Sequence, residues 1–213
     1  MRMRGRWKPR MRLGRAWGKS GGASIVTTLL QDNFSEANNT DVNGKALDIG
    51  GTWVVTDTGG VMATDGLNHV KSTGLDATCL ADASQANVTV QAVMKMNADA
   101  NLVNISLTAN CNSDGTEKWI FECNGGDALL KLHHFVDPTY TTVDTIAFTV
   151  VGGSSYTFKI ITNGDSIKCY VDGVLKINWS ESNRPGKTLT YCGIRIASTN
   201  DGGSLGGSFI VTA

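Results

Sequence analysis

The first nineteen residues, MRMRGRWKPRMRLGRAWGK, hold eight basic side chains and no acidic one: Arg2, Arg4, Arg6, Lys8, Arg10, Arg12, Arg15 and Lys19. Guanidinium and ammonium groups at this density bind the oxygens of phosphates or carboxylates. Six of the eight, from Arg2 to Arg12, fall on alternate positions. An extended chain puts all six on one side, whereas a helix scatters them around its circumference. Gly5, Pro9, Gly14 and Gly18 also disfavour a helix. Trp7 and Trp17 add aromatic anchoring surface that a merely solubilising tail does not need. The expectation is an extended basic arm, residues 1–22, that lies along an anionic surface.

Elsewhere the residues that carry chemistry are sparse. GGSLG (Gly202–Gly206) spells a Gly-x-Ser-x-Gly nucleophile elbow, but an elbow needs a strand-to-helix turn with an acid and a histidine downstream. The seven residues after Gly206 include neither Asp nor His, so the segment reads as a glycine-rich loop before a last strand. His133 and His134 are neighbours in a strand-like segment and project to opposite faces, which keeps them from sharing a metal; His69 is the third histidine. A phosphate-binding glycine loop with lysine and a dinucleotide fingerprint are both missing. Cys79, Cys111, Cys123, Cys169 and Cys192 lack CxxC spacing and read as reduced, buried thiols rather than zinc ligands. Asp32, Asp41, Asp48, Asp165 and Asp172 lie in or beside loops and have the oxygens a structural calcium takes. Asp is equally a turn former, and that reading is preferred, so no cofactor is assigned. Asn-x-Ser/Thr triplets at Asn38, Asn87, Asn104 and Asn178 would matter only in a secreted eukaryotic protein.

These groups must be held by some framework. Nineteen basic and nineteen acidic residues cancel formally, but eight of the basic ones lie in the arm and all the acids lie beyond position 20. The remainder therefore sets eleven cations against nineteen carboxylates, a body of about −8 beside an arm of +8. Such a division marks a tail with its own partner. No apolar run of signal-peptide length follows the basic stretch, and the arm is neither amphipathic nor serine-rich like a mitochondrial leader. No run of about 20 apolar residues occurs, so no membrane partner is expected.

Residues 23–213 suffice for one large β domain. In Asn87–Met96, Val88, Val90, Ala92, Met94 and Met96 alternate with Thr89, Gln91 and Lys95, the period-2 signature of a half-buried strand. Asn101–Cys111 repeats the pattern with Val103, Ile105 and Leu107. Glu117–Asn124 and Ala128–Val136 follow, joined by a Gly-Gly-Asp turn. Tyr156–Thr162, Ser166–Val171 and Val174–Trp179 are linked by Asn-Gly-Asp and Asp-Gly, both strong hairpin turns. Thr190–Ser198 and Gly207–Ala213 read as closing strands. No stretch shows a helical period or a tandem repeat, and strands recurring at this spacing predict a sandwich or barrel.

On these residues the chain resembles the concanavalin A-like lectin/glucanase sandwiches found in phage virion proteins. Asp32-Asn33-Phe34 leading through a glycine-rich loop to Gly51-Thr52-Trp53 is similar to the opening of such domains. YTFKIITNGDSIKCYVDGVLK resembles the paired strands ending in Tyr-Val-Asp-Gly of laminin-G-like modules, and CGIRIAS the strand that follows. The resemblance spans roughly Gln31 to Val211 and implies an all-β fold, a two-sheet antiparallel jelly-roll sandwich preceded by the extended basic arm. It does not by itself imply sugar binding, because this fold hosts many functions. The retaining glucanases it resembles carry a Glu-x-Asp-x-x-Glu strand that sends paired carboxylates into one cleft. The four glutamates here, Glu36, Glu117, Glu122 and Glu181, do not form it, so no catalytic residue is assigned and a non-enzyme is expected.

Three roles fit an acidic sandwich with a basic arm. In the first, the chain is a bacteriophage virion structural protein, a capsid decoration or cement protein. The arm then runs along the major capsid protein or other virion subunits, with its tryptophans seated in apolar pockets and homo-oligomers formed on the lattice. In the second, it is a coat protein whose arm neutralises packaged nucleic acid. In the third, it is a carbohydrate-binding module whose strand aromatics, Trp119, Tyr140 and Trp179 together with Tyr156 and Tyr170, face sugar rings. The first accounts for the charge division and is the expectation carried forward, with the virion as location.

Overall fold

A computed structural model describes residues 26–56, 60–73, 76–197 and 205–213. The whole basic arm, Arg2 to Lys19 with Trp7 and Trp17, lies outside the described residues, as do Gly202, Gly203 and Ser204 of the Gly-x-Ser-x-Gly match. The described residues form fifteen strands. They are β1 (Thr28–Asp32), β2 (Val54–Thr56), β3 (Met62–Thr64), β4 (His69–Ser72), β5 (Ala77–Asp82), β6 (Thr89–Lys95), β7 (Asn104–Cys111), β8 (Glu117–Asn124), β9 (Leu129–Val136), β10 (Thr139–Ala147), β11 (Ser155–Asn163), β12 (Ser166–Val171), β13 (Val174–Ser180), β14 (Tyr191–Ile196) and β15 (Leu205–Thr212). Among the described residues a single 3₁₀ turn, Ala100–Leu102, precedes β7.

The strands make two antiparallel sheets. The eight-stranded sheet runs β13-β12-β11-β6-β15-β4-β3, with β1 also paired to β15; the seven-stranded sheet runs β10-β9-β8-β7-β14-β5-β2. They stack as a sandwich because each presents an apolar face, as alternation requires. Val88, Val90, Ala92, Met94 and Met96 are all buried on one side of the β6 segment, as their spacing predicts. They meet the inward row of the other sheet: Ile105 and Leu107, Trp119 and Phe121, Leu130 and Leu132, Ile194 and Ile196. Hairpin chemistry sets the register of β11, β12 and β13. Gly164 and Gly173 take positive φ in the two turns, and Asp172 accepts from Thr157 N at 2.7 Å.

The two long sides of the sandwich differ. One is edged by the three-residue strands β2 and β3, with β3 wholly buried. The other is edged by β10, nine residues and largely exposed, and by the seven-residue β13. No described helix is long and apolar enough to cross a membrane.

Candidate functional site

Alternation in the seven-stranded sheet sends every second side chain away from the core. In the fold those positions are covered as well. Thr78, Ser106 and Thr108 are fully buried, Lys118 is 1% exposed, and Glu122, His133 and Arg195 are each 6% exposed. The cover comes from three directions: Asp76 ahead of β5, the β7–β8 loop at Asp114–Thr116, and the β9–β10 turn with Tyr140. Together with Phe135, Asp137 and Pro138 these residues line a cavity of about 440 Å³. Gly115 lets its loop sit down on the sheet: it takes φ +74°, and a Cβ there would lie 2.7 Å from Thr56 Oγ1.

Beneath the cavity lies a charged layer. Arg195 reaches across β7 to Glu122, Nη1 to Oε2 3.4 Å, and its Nη2 pairs with Asp76 Oδ2. Its guanidinium sits 5.6 Å from the Tyr140 ring centroid. His133 Nε2 is 3.8 Å from Glu122 Oε1, and His133 Nδ1 meets Thr142 Oγ1 at 3.0 Å. Tyr140 stands edge-on to His133 at 5.9 Å and packs on Phe135 at 4.5 Å, while Lys118 Nζ lies 5.1 Å from the Phe135 ring. Burial alone would raise the Glu122 carboxyl, but the hydrogen bond and charge of His133, with Arg195 and Lys131, outweigh it and hold the pKa below the ordinary value. Burial likewise opposes the charge on Arg195, and Asp76, Tyr140 and Glu122 override it, raising its pKa.

Four buried atoms of this layer have no hydrogen-bond partner within the protein, Ser106 Oγ, Thr108 Oγ1, Arg195 Nε and Asp76 Oδ1, while His133 Nε2 faces Glu122 Oε1 at 3.8 Å. Each such group costs about 1–3 kcal/mol when left unmatched. The cavity itself presents the polar side chains of Asp76, Asp114, Thr116 and Asp137 beside the rings of Tyr140 and Phe135, a lining that suits a ligand with both hydrogen-bonding groups and an apolar face.

The structure separates the three aromatics expected to face a glycan. Tyr140 is 43% exposed and lines the cavity. Trp119 requires a correction, because it is fully buried on the core face of β8 and offers no ring face to solvent. Its ring lies 4.8 Å from His134 and 4.7 Å from Trp179, and its Nε1 donates to Pro185 O at 3.0 Å. The reason is register: Trp119 shares a face with Phe121 and Cys123, and that face is the interior. Trp179 is half-buried against it. His133 and His134 do point to opposite sides, His133 under the cavity and His134 toward Glu117 Oε1 at 3.2 Å.

The loop aspartates considered for calcium are otherwise engaged. Asp32 is buried and binds Lys45 and Trp53, Asp41 and Asp48 accept from the backbone amides of Asn43 and Asn33, Asp165 pairs with Lys187, and Asp172 accepts from Thr157 N. Among the described residues no three or more His, Cys, Asp or Glu side chains gather as a metal group. Sequence reasoning missed Asp76, Glu122 and Arg195 as a unit. Arg195 lies 119 positions from Asp76 and 73 from Glu122, and no local pattern joins them.

No family model and no curated protein matches this chain. Solved structures do. The carbohydrate binding module CBM66 from Bacillus subtilis superposes with a TM-score of 0.56 at 15% identity, over 83% of this chain and 96% of that one. Bacillus licheniformis β-glucanase gives 0.54 at 12% identity, over 83% and 98%. The binding domain of botulinum neurotoxin serotype D gives 0.51 at 13% identity, over 84% of this chain and 48% of that one. At these identities the likeness is one of fold, and it agrees with the two-sheet topology: the chain folds as a two-sheet antiparallel jelly-roll sandwich.

Proposed function

We propose that this chain is a carbohydrate-binding, lectin-like module whose ligand sits in the cavity over β8 and β9. One observation carries the reading: the exposed Tyr140 ring and Phe135 line a cavity of about 440 Å³ together with the polar side chains of Asp76, Asp114, Thr116 and Asp137. Sugar hydroxyls both donate and accept, and a pyranose presents an apolar face that packs on an aromatic ring. The fold shared with a solved carbohydrate binding module supports the reading. Binding without hydrolysis is the form proposed, because the glutamates do not form the paired-carboxylate strand of the retaining glucanases. The test is a glycan array probed with the full-length protein and with Tyr140→Ala. Retained glycans lost in the variant support the module; an array on which the full-length protein binds nothing removes it.

A second reading is favoured by the charge division between arm and body. The module is then carried on a virion as a capsid decoration or cement protein, fixed through residues 1–22 to neighbouring subunits. Removing residues 1–20 is expected to abolish attachment to empty protein shells while leaving the body folded. Binding of the full-length chain to DNA alone, with a steep loss as salt rises, would make the arm a nucleic-acid contact instead.

A further inference from the structure

The side of the sandwich bounded by β10 and β13 carries an uncovered apolar margin. Among the described residues β10 pairs with β9 alone and β13 with β12 alone. The two strands run beside each other, and Lys176 of β13 lies 5.7 Å from the ring of Phe148, just past the end of β10. Ile146, Val151, Val174 and Leu175 are exposed along this side, and Val143 is only partly buried against the core. β10 has nine residues, a single charge at Asp144 and one bulge between Thr142 and Asp144. So long and so nearly neutral an edge is a template for a further strand.

The chain itself holds a segment of matching pattern. In residues 1–13, Met1, Met3, Trp7, Met11 and Leu13 fall on odd positions, and every even position from Arg2 to Arg12 is a cation. Extended, such a segment has one apolar flank and one basic flank. An outermost strand of a sandwich needs those two faces, one turned to the interior and one to solvent. Pro9 lacks an N–H, which an edge strand tolerates on its open side. Charge favours the same place: the segment is wholly basic, the rest of the chain has an acidic excess, and Asp137 and Asp144 lie just ahead of β10 and within it.

The length suits as well. Residues 1–25 precede Val26, the first described residue. Thr28 of β1 stands in a cross-strand row with Thr212, Thr89, Ile161, Lys168 and Asn178, the last of these on β13. That row and the step to the other sheet come to about 34 Å, and residues 14–25, extended, span about 40 Å. Trp179, next to Asn178, packs on Trp119, whose own row continues through His134 to Thr141 of β10. The segment therefore arrives at the Thr141 end of β10 and, followed from residue 13 back to residue 1, leads toward Ile146. That direction is antiparallel.

We infer that residues 1–13 add to the sandwich as a further strand, paired antiparallel with β10 of the same chain. The odd-numbered apolar row covers the margin at Ile146, and the even-numbered cations face outward. This pairing does not depend on the carbohydrate-binding reading. Under the second reading, the arm must leave this edge before it can hold a neighbour.

Hydrogen exchange read by mass spectrometry tests it on the full-length protein and on a full-length triple variant, Met3→Ser, Trp7→Ser and Met11→Ser, which keeps every cation. The β10 amides are expected to exchange about tenfold faster in the variant, as loss of a hydrogen-bonded neighbour provides, while those of β7 and β14 keep their rates. Ile146→Ser, at an exposed position, is expected to speed trypsin cleavage within residues 1–13 several-fold. Equal β10 exchange in the natural protein and the triple variant overturns the inference. Protection that high salt removes while the apolar row is intact would mean that charge alone holds the arm, and overturns the strand. Protection that falls on dilution assigns β10 to the arm of a second copy and overturns the pairing within one chain.

Discussion

Trp53 Nε1 donates to Asp32 at 2.5 Å, and both residues are fully buried. Lys45 Nζ reaches the same carboxylate oxygen at 2.6 Å, so one acid ties β1 to the loop ahead of β2. The Trp53 ring is packed between Phe34 at 5.7 Å and Phe209 at 4.9 Å. Breaking this group strands a buried partner rather than a surface contact. Asp32→Ala is expected to cost about 3–5 kcal/mol, read as a lowered urea midpoint with unchanged slope. A loss under about 1 kcal/mol would show that the pair is not holding the loop.

Arg184 forms a second buried tie, on the β12–β13 side. It is 1% exposed, donates from Nη2 to Asn110 Oδ1 at 2.8 Å and from Nε to Gly164 O at 3.0 Å, and lies 5.4 Å from the Trp119 ring. Burial pushes its pKa down to about 10 despite Asp165 nearby. A lysine has neither the forked donors nor the flat stacking surface. Arg184→Lys is therefore expected to destabilise by about 2–3 kcal/mol in chemical denaturation, well beyond the effect of an exposed conservative exchange.

Glu122 makes stability depend on pH. Although burial opposes it, His133, Arg195 and Lys131 lower its folded pKa beneath the ordinary 4.5. A depressed carboxylate contributes stability that is present above the unfolded value and lost as pH falls through the folded one. The stability gap between the natural protein and Glu122→Gln should thus be largest at neutral pH and close below pH 4.5. Thermal unfolding of both proteins across an acid series measures it; a gap that widens on acidification contradicts the assignment.

All five cysteines are free and buried. Burial raises the Cys79 and Cys123 thiols to about 12 and lifts Cys169 and Cys192 well above the usual range. Thiolate, the reactive form, is then scarce at neutral pH. Iodoacetamide should leave the native protein unlabelled by intact mass and add five groups once it is unfolded. A single fast adduct on folded protein would reveal a local opening.

The core of the fold is legible where alternation and turn chemistry agree. Glu117–Asn124 and Ser166–Val171 are bounded by Gly-Gly-Asp and by Asn-Gly-Asp with Asp-Gly, and the strands observed there have those limits. Thr139–Ala147 escapes the same reasoning because its threonines give no apolar alternation, and it lies mostly exposed at a sheet edge. Ala77–Asp82 escapes for the opposite reason: five consecutive residues are buried, so no polar face marks the period. The site is least legible of all. Ser106, Lys118, Glu122, His133 and Arg195 alternate with core residues along their strands, but only the tertiary arrival of Asp76, Gly115 and Tyr140 turns that outer face into a covered layer.

The position of β15 has a consequence for how the molecule comes into being. Residues 205–212 occupy the middle of the eight-stranded sheet, joining β6 on one flank to β4 and β1 on the other. Chain growth therefore delivers β1, β4 and β6 to the cell long before the strand that seals them together. Until then each offers an unpaired border to whatever is near, and no stepwise, N-terminus-first accretion completes the sheet. Closure waits for one late, long-range event, so nascent chains pass through an adhesive interval whose length is set by the pace of the ribosome.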